Sequence, residues 1–218
     1  MTRCIVVDDH PLFRSALGAT LSAVDGMVVE EAGGLDELNA ALERDRDCDL
    51  VLLDLNMPGA RGFSGLLLLR AQYPEVPVLI VSATEDPATI LTAIELGAAG
   101  YLPKSKGPAE IRRAIDTVLK GEVAMPEGIG APEGDKEKTA FLRRLSTLTP
   151  QQVRVLMMLS DGLMNKQIAY ELSISEATVK AHVSSILQKL DVDSRTQAVI
   201  AASRIEQGHF DTLLSKGA

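Results

Sequence analysis

The chain has 218 residues, of which 46% are hydrophobic and 24% charged, and it carries a formal net charge of −8. This length admits one or two domains with a sizeable core. An acidic total by itself argues against a surface built throughout for nucleic acid.

Taken in order, residues 1 to 120 alternate strands and helices. Cys4 to Val7 form an apolar run, a strand of about 3 to 8, that ends in Asp8 and Asp9. His10, just before Pro11, reads as a turn or helix-cap residue, with a ligand or general base as the other reading. A helix of about 12 to 23 follows, in which Leu12, Ala16, Ala19 and Ala23 recur at helical spacing. A strand at 27 to 31 and a helix at 35 to 44 come next. Leu50 to Leu53 is apolar without alternation, as expected of a strand buried on both faces of a parallel sheet, and it delivers Asp54 to its end. Asn56, Pro58 and Gly59 then supply loop chemistry. A helix near 63 to 73 carries Leu66 to Leu69. Val76 to Val81 forms a strand ending at Ser82, and Pro87 opens a helix that Gly97 closes. Ala99 to Leu102 precedes Pro103 and Lys104, and a last helix spans 108 to 119. Five such βα units without an internal repeat make a doubly wound α/β domain.

In open parallel sheets, ligands bind beyond the carboxyl ends of the strands. Asp54 alone could be a turn-capping carboxylate. Asp8 and Asp9 bring two more carboxylates to the same edge, and uncompensated like charges in a partly dry cleft imply a cation, with hard oxygen ligands suiting Mg²⁺. Ser82 and Lys104 add a hydroxyl and an ammonium. Asp8, Asp9, Asp54, Ser82, Tyr101 and Lys104, at these spacings and strand ends, resemble the receiver domain of bacterial response regulators. The resemblance implies a five-stranded parallel sheet of order 2-1-3-4-5 and phosphorylation on Asp54. It further implies Mg²⁺ held by Asp9, Asp54 and the Asn56 backbone carbonyl, with Asp8 acting through water. Ser82 would move to the phosphoryl group, Lys104 would be its counter-charge, and Tyr101 the aromatic whose rotamer follows. Such chemistry needs an in-line carboxylate and neutralisation of the equatorial oxygens. Ser105 stands where many receivers have proline after the lysine, so a cis peptide is not expected there.

Residues 121 to 139 hold four glycines, two prolines and five acidic residues without apolar periodicity, and read as a flexible linker. A short helix at 140 to 145 follows. Thr149, Pro150 and Gln152 form a capping box for a helix of 150 to 160, stopped by Asp161 and Gly162. Asn165 opens a short helix, Ser173 and Ile174 make a turn, and Ser175 caps a longer helix to Leu190 with an apolar stripe of Val179, Val183, Ile186, Leu187 and Leu190. A fourth helix at 194 to 206 carries Ala198, Val199, Ala201, Ala202 and Ile205. Geometry alone leaves a small helical bundle and a helix-turn-helix both open.

The strings LTPQQVRVL, GLMNKQIAYEL and SISEATVKAHVSSILQKL, with Asp191, Val192 and Arg195 after them, resemble the LuxR-type (GerE) DNA-binding domain. With the receiver, this is similar to a NarL/FixJ-type response regulator: a receiver at 1 to 120, a linker at 121 to 139 and a helix-turn-helix domain at 140 to 210. The regional net charges, −7, −3 and +2, leave the positive remainder in the half expected to touch DNA. The apolar stripe leaves Ala177, Ala181, Ser184, Ser185 and Gln188 outward, flanked by Lys180. The resemblance places base contacts at Lys180, Ala181 and Ser184, and phosphate contacts are expected from Lys166, Thr178, His182 or Lys189. Ala201 and Ala202 are expected to help two copies pair on a two-fold site.

The partners so implied are a sensor histidine kinase, promoter DNA and a second copy, with RNA polymerase also admitted. A receiver of this kind promotes only its own phosphorylation and dephosphorylation. An aspartate-based phosphatase or phosphotransferase is the other class, against which the helix-turn-helix counts, and a constitutive DNA-binding regulator is a third reading. Cys4 and Cys48 read as small buried hydrophobes of a reducing compartment. No apolar run suits a bilayer and no signal-like segment precedes the first strand, so a cytoplasmic location away from membranes is expected.

Overall fold

The computed structural model describes residues 1–58, 60–130 and 136–207. Gly59, the linker residues 131–135 and the last three positions of the expected second domain lie outside the described residues. The first unit runs β1 (Thr2–Val7), α1 (Pro11–Ser22), β2 (Met27–Ala32), α2 (Leu35–Arg44), β3 (Leu50–Leu53), β4 (Asn56–Met57), β5 (Ala60–Arg61), α3 (Ser64–Gln72), β6 (Val78–Ser82), α4 (Pro87–Glu95), β7 (Gly100–Pro103) and α5 (Pro108–Leu119). The main sheet has the order β2-β1-β3-β6-β7 and is parallel throughout. Counting its five strands alone, this is the doubly wound order 2-1-3-4-5.

Parallel strands covered on both faces have no use for polar alternation. Ile5, Val7, Val51, Leu53, Val78 and Ile80 join the core that also contains Leu38 and Leu42 of α2, Leu66 of α3 and Ile90 of α4. Cys4, Val6, Leu50, Leu52, Leu79 and Val81 face Leu17 and Leu21 of α1 and Ile111, Ile115 and Val118 of α5. Each such side chain contributes about 1.5–3 kcal/mol by leaving water, so the strand ends form a rigid platform. The register sets what stands on it. Val7 pairs with Leu53, which brings Asp8 beside Asp54, and Ser82 pairs with Pro103, which brings Ser82 beside Lys104.

Three local features differ from the sequence expectation. In α1 the buried face is Leu17, Gly18 and Leu21, while Leu12 is 89% exposed. Two helical registers were available, and the one with Phe13, Leu17 and Leu21 buries more apolar surface than one built largely of alanines. The loop after Asp54 folds into a small antiparallel hairpin, β4 with β5. The start of the linker is not free either: Ala124 bridges to Gly100 in parallel, with Tyr101 N–H donating to the Ala124 carbonyl at 2.8 Å and Ala124 N–H to the Ala99 carbonyl at 3.1 Å. Ala124 Cβ and O lie 2.7 Å from where a Cβ on Gly100 would stand, so only glycine admits this approach without displacing the linker.

The second unit is helical: α6 (Lys136–Leu145), α7 (Pro150–Ser160), α8 (Asn165–Glu171), α9 (Glu176–Leu190) and α10 (Arg195–Gln207). Thus α6 begins four residues before the expected 140. The capping box at α7 forms, with Gln152 N–H donating to Thr149 Oγ1 at 3.3 Å and Thr149 N–H donating to Gln152 Oε1 at 3.0 Å. The two units share one core cluster. At their junction Phe63 N–H donates to the Ile205 carbonyl of α10 at 3.0 Å, Arg154 Nη2 of α7 to Gln72 Oε1 at 3.4 Å, and Thr139 Oγ1 of α6 to Glu95 Oε1 of α4 at 3.1 Å.

Candidate functional site

The carboxyl edge of the sheet gathers Asp8, Asp9, His10 and Asp54, each offering one ligand atom within 4.8 Å of the others. Asp8 and Asp54 are 2% and 3% exposed, so the pocket floor is dry, while Asp9 is half-buried. Lys104 Nζ lies between the two buried carboxylates, 2.6 Å from Asp8 Oδ2 and 2.8 Å from Asp54 Oδ2. Burial alone would lower the Lys104 ammonium, but hydrogen bonds to Asp54 and Asp8 outweigh it and hold the group above its ordinary value. Asp54 Oδ1 is buried without a hydrogen-bond partner. Three carboxylates face one ammonium, and an acceptor oxygen is left over; this donor set fits a hard divalent cation.

Two contributors, Phe13 and Arg14, carried no sequence signal. Phe13, half-buried in the first turn of α1, lies with its ring centroid 4.7 Å from Lys104 Nζ and supports the ammonium by a cation–π contact. Arg14 Nη1 donates to the Asp8 carbonyl at 2.6 Å and its Nε to Glu31 Oε2 at 3.1 Å, tying the acidic loop to β2. His10 occupies the N-cap position of α1, as expected of a cap, yet its side chain does not cap the helix. Its Nδ1 lies 3.2 Å from Asp8 Oδ1 and 2.9 Å from Asp9 Oδ1.

Across the pocket, Ser82 is fully buried at the end of β6 and accepts from Thr84 N–H at 3.3 Å. Tyr101, 2% exposed, donates its hydroxyl to the Thr84 carbonyl at 2.8 Å. Burial raises the phenol, a hydrogen bond with Ser82 lowers it, and the charges of Asp54, Asp86 and Glu85 raise it, so it stays a donor. Ser82, Thr84 and Tyr101 are thus one connected unit. Ser105 Oγ donates to Glu85 Oε1 at 2.6 Å, linking the two loops over the pocket, and no peptide bond is cis among the described residues. Asn56 is exposed and held in β4 opposite Arg61.

The second candidate surface lies on α8 and α9. Ser173 at φ 52° makes the turn between them, and Ser175 Oγ accepts from Thr178 N–H at 3.0 Å at the start of α9. Val179, Ile186 and Leu190 are buried, while Thr178, Lys180, Ala181, Ser184 and Gln188 are exposed and His182 is half-buried. Lys166 is exposed on α8. Lys180 Nζ pairs with Glu176 Oε1 at 3.3 Å. Three of the expected residues are committed elsewhere. Lys189 Nζ donates to the Thr147 carbonyl at 2.7 Å and to Gln152 Oε1 at 2.8 Å, which ties α9 to the capping box of α7. Ala201 and Ala202 are buried, so the open face of α10 is carried by Ile200 instead.

Residues 4–116 match the response regulator receiver domain, and residues 146–202 match the bacterial regulatory proteins of the luxR family. The chain is 41% identical over 214 residues to the glycerol metabolism activator of Pseudomonas putida, covering 94% of this chain and 97% of that one. It is 34% identical over 200 residues to the nitrate/nitrite response regulator protein NarL of Escherichia coli strain K12, covering 90% and 92%. A solved structure of two RcsB dimers bound to two parallel DNAs shows the same fold, with a TM-score of 0.56 at 21% identity over 94% of this chain and 98% of that one. No helix among the described residues is long and apolar enough to cross a membrane. With a receiver sheet whose acidic edge is intact and a luxR-family helix-turn-helix behind it, the chain belongs to the NarL/FixJ-type response regulators of two-component systems, the phosphorylation-regulated transcription regulators.

Proposed function

We propose that Asp54 is the phosphoryl acceptor, charged by a sensor histidine kinase, and that the chain regulates promoters as a homodimer reading DNA with α9. The observation that carries this is Asp54 itself: 3% exposed, one oxygen bonded to Lys104 and the other without a partner at the carboxyl edge. That free oxygen forms the P–O bond as the donor's P–N bond breaks, and the nitrogen pair returns to the imidazole. Asp9, Asp54 and the Asn56 backbone carbonyl, with Asp8 through water, would hold Mg²⁺, which would supply charge neutralisation at the phosphoryl oxygens. Lys104 is already placed to move from a carboxylate to a phosphoryl oxygen, and Ser82 to turn from Thr84 toward it. Doing so would loosen the unit that holds the Tyr101 hydroxyl, which supports a two-state switch biased by new charge-assisted bonds.

On α9, Lys180, Ala181 and Ser184 face the bases, with Lys166, Thr178, His182 and Gln188 around them. Alanine and serine can touch a thymine methyl or make one hydrogen bond, but they cannot pair bidentately with guanine. Recognition therefore leans on Lys180 and phosphate contacts. A second copy would meet the exposed side of α10 near Ile200, and RNA polymerase is the partner that would turn binding into transcription. The test is labelling by a small phospho-donor with Mg²⁺: wild type takes up phosphate and Asp54→Asn does not. Undiminished labelling of Asp54→Asn would remove Asp54 from this role.

A further inference from the structure

We infer that Phe13 is a positioning residue for the phosphoryl transfer: the face of its ring holds the Lys104 ammonium at the pocket, so the ring's electron density, and not only its bulk, sets how fast Asp54 takes up a phosphoryl group. This rests on the proposed reading of Asp54 as acceptor and Lys104 as counter-charge, and adds a residue that reading does not use. Lys104 follows the last residue of β7 and passes the end of β6 to reach the carboxylates that follow β3 and β1. A flexible lysine stem that crosses such a gap has many rotamers, so its head stays in place only if its surroundings fix it. Asp8 Oδ2 at 2.6 Å and Asp54 Oδ2 at 2.8 Å supply the charged contacts, and the Phe13 ring takes another side, with Nζ over its face 4.7 Å from the centroid. A cation over an aromatic face is drawn to the negative side of the ring's quadrupole, the more so where water is kept away, and the Lys104 side chain is only 16% exposed.

The ring is held by its own packing. Phe13 stands in the first turn of α1 and packs, half-buried, against the core that contains Cys4, Val6, Leu17 and Leu21. Beside it, Arg14 ties the same turn to the Asp8 carbonyl and to Glu31. In the transfer, Asp54 Oδ1 bonds to phosphorus while the donor's own bond to phosphorus breaks, and that electron pair leaves with the donor. Lys104 meanwhile exchanges Asp54 Oδ2 for a phosphoryl oxygen. The ring contact does not depend on which oxygen the ammonium faces, so it holds the charge in place through the exchange, when charge on the phosphoryl oxygens most needs it. A leucine at this position would fill the space and offer no such face.

The test uses the full-length protein with acetyl phosphate as donor and Mg²⁺ present, acetate being the group that leaves, and reads the initial rate of labelling. Phe13 is replaced by phenylalanine carrying one, two or three ring fluorines, which draw electron density from the face and leave shape and apolarity nearly unchanged. The rate should fall with each fluorine, to about three- to tenfold below wild type at three, with the thermal midpoint unchanged. Phe13→Leu should be slowed to a similar degree. A second readout needs no donor: the Lys104 ε-methylene resonance, shifted upfield by the ring in wild type, should move downfield in Phe13→Leu. Equal rates across the fluorinated series, or a Lys104 resonance unmoved in Phe13→Leu, overturns the inference and leaves the acceptor reading standing. Labelling of Asp54→Asn at the wild-type rate overturns the acceptor reading and the inference with it.

Discussion

Lys104 holds two buried carboxylates that would otherwise face each other across the sheet edge. Removing it in Lys104→Ala leaves both unpaired, and a broken buried pair costs about 3–5 kcal/mol, here toward the lower figure because the Asp9 side admits water. Chemical denaturation should show that loss, and added Mg²⁺ should restore part of it by binding the folded state alone. A variant as stable as wild type without Mg²⁺ would show that the carboxylates find other partners. The sign of the pH dependence follows from the raised ammonium: its contribution is fully present below the ordinary lysine value of 10.5 and is lost only as pH rises through the higher folded value. Stability carried by this group should therefore be flat across neutral pH and fall in strong alkali. Asp8, Asp9, Asp54, Ser82 and Lys104 were legible because each follows an apolar run that can only be a buried strand. Phe13 was not, and the His10 ring only as the lesser of two readings, since their approach depends on how α1 leaves the edge, which local sequence does not encode.

At the scale of elements, the contact between β7 and the linker couples the strand that carries Tyr101 to the chain that leads toward the DNA-binding half. A Cβ at Gly100 would stand 2.7 Å from Ala124 O and 2.9 Å from Leu79 Cδ1. Gly100→Ala should cost about 1–3 kcal/mol, as overpacking does. It should also speed amide hydrogen exchange at Tyr101 and Ala124, whose N–H groups make this contact. Unchanged exchange at both amides would mean that the linker is not held there. The acidic, glycine-rich composition of residues 121 to 139 reads as free chain because a single bridge leaves no periodicity to find. The β4–β5 hairpin escaped for the same reason, its strands being two residues each. The helices of the second unit were legible to within a residue or two from α7 onward, because caps at Thr149 and Ser175 mark their starts. On α9 the exposed Lys180 would exchange its partner Glu176 for DNA at little cost in the proposed complex, surface pairs being weak. Lys180→Ala should weaken specific binding by on the order of 1–3 kcal/mol, and binding equal to wild type across a salt series would overturn the groove-facing register of this helix.

For the whole molecule, the receiver touches the second unit through α7, α6 and the end of α10, while the outward face of α9 stays exposed. Sequence gives no sign of this junction: Gln72 and Arg154 lie 82 positions apart, and neither carries a motif. Control by this contact would act on α10, whose Ile205 carbonyl is bonded to Phe63, more than on base reading. Leu68 of α3 and Met157 and Met158 of α7 line the groove between the units together with Leu35. A carboxylate at Met157 would have to be desolvated beside Asp36 and Asp161 and would draw Arg154, one turn earlier, away from Gln72, so the two halves should part while each keeps its own core. Met157→Glu should therefore raise the radius of gyration in small-angle scattering and leave the helical circular dichroism unchanged. Freed from Phe63, α10 should pair more readily, and unphosphorylated Met157→Glu should occupy two-fold DNA at lower protein concentration than wild type. If the radius rises and DNA occupancy does not, the junction is a resting contact without a hold on pairing; if the radius stays the same, the two halves are held together by contacts other than this groove.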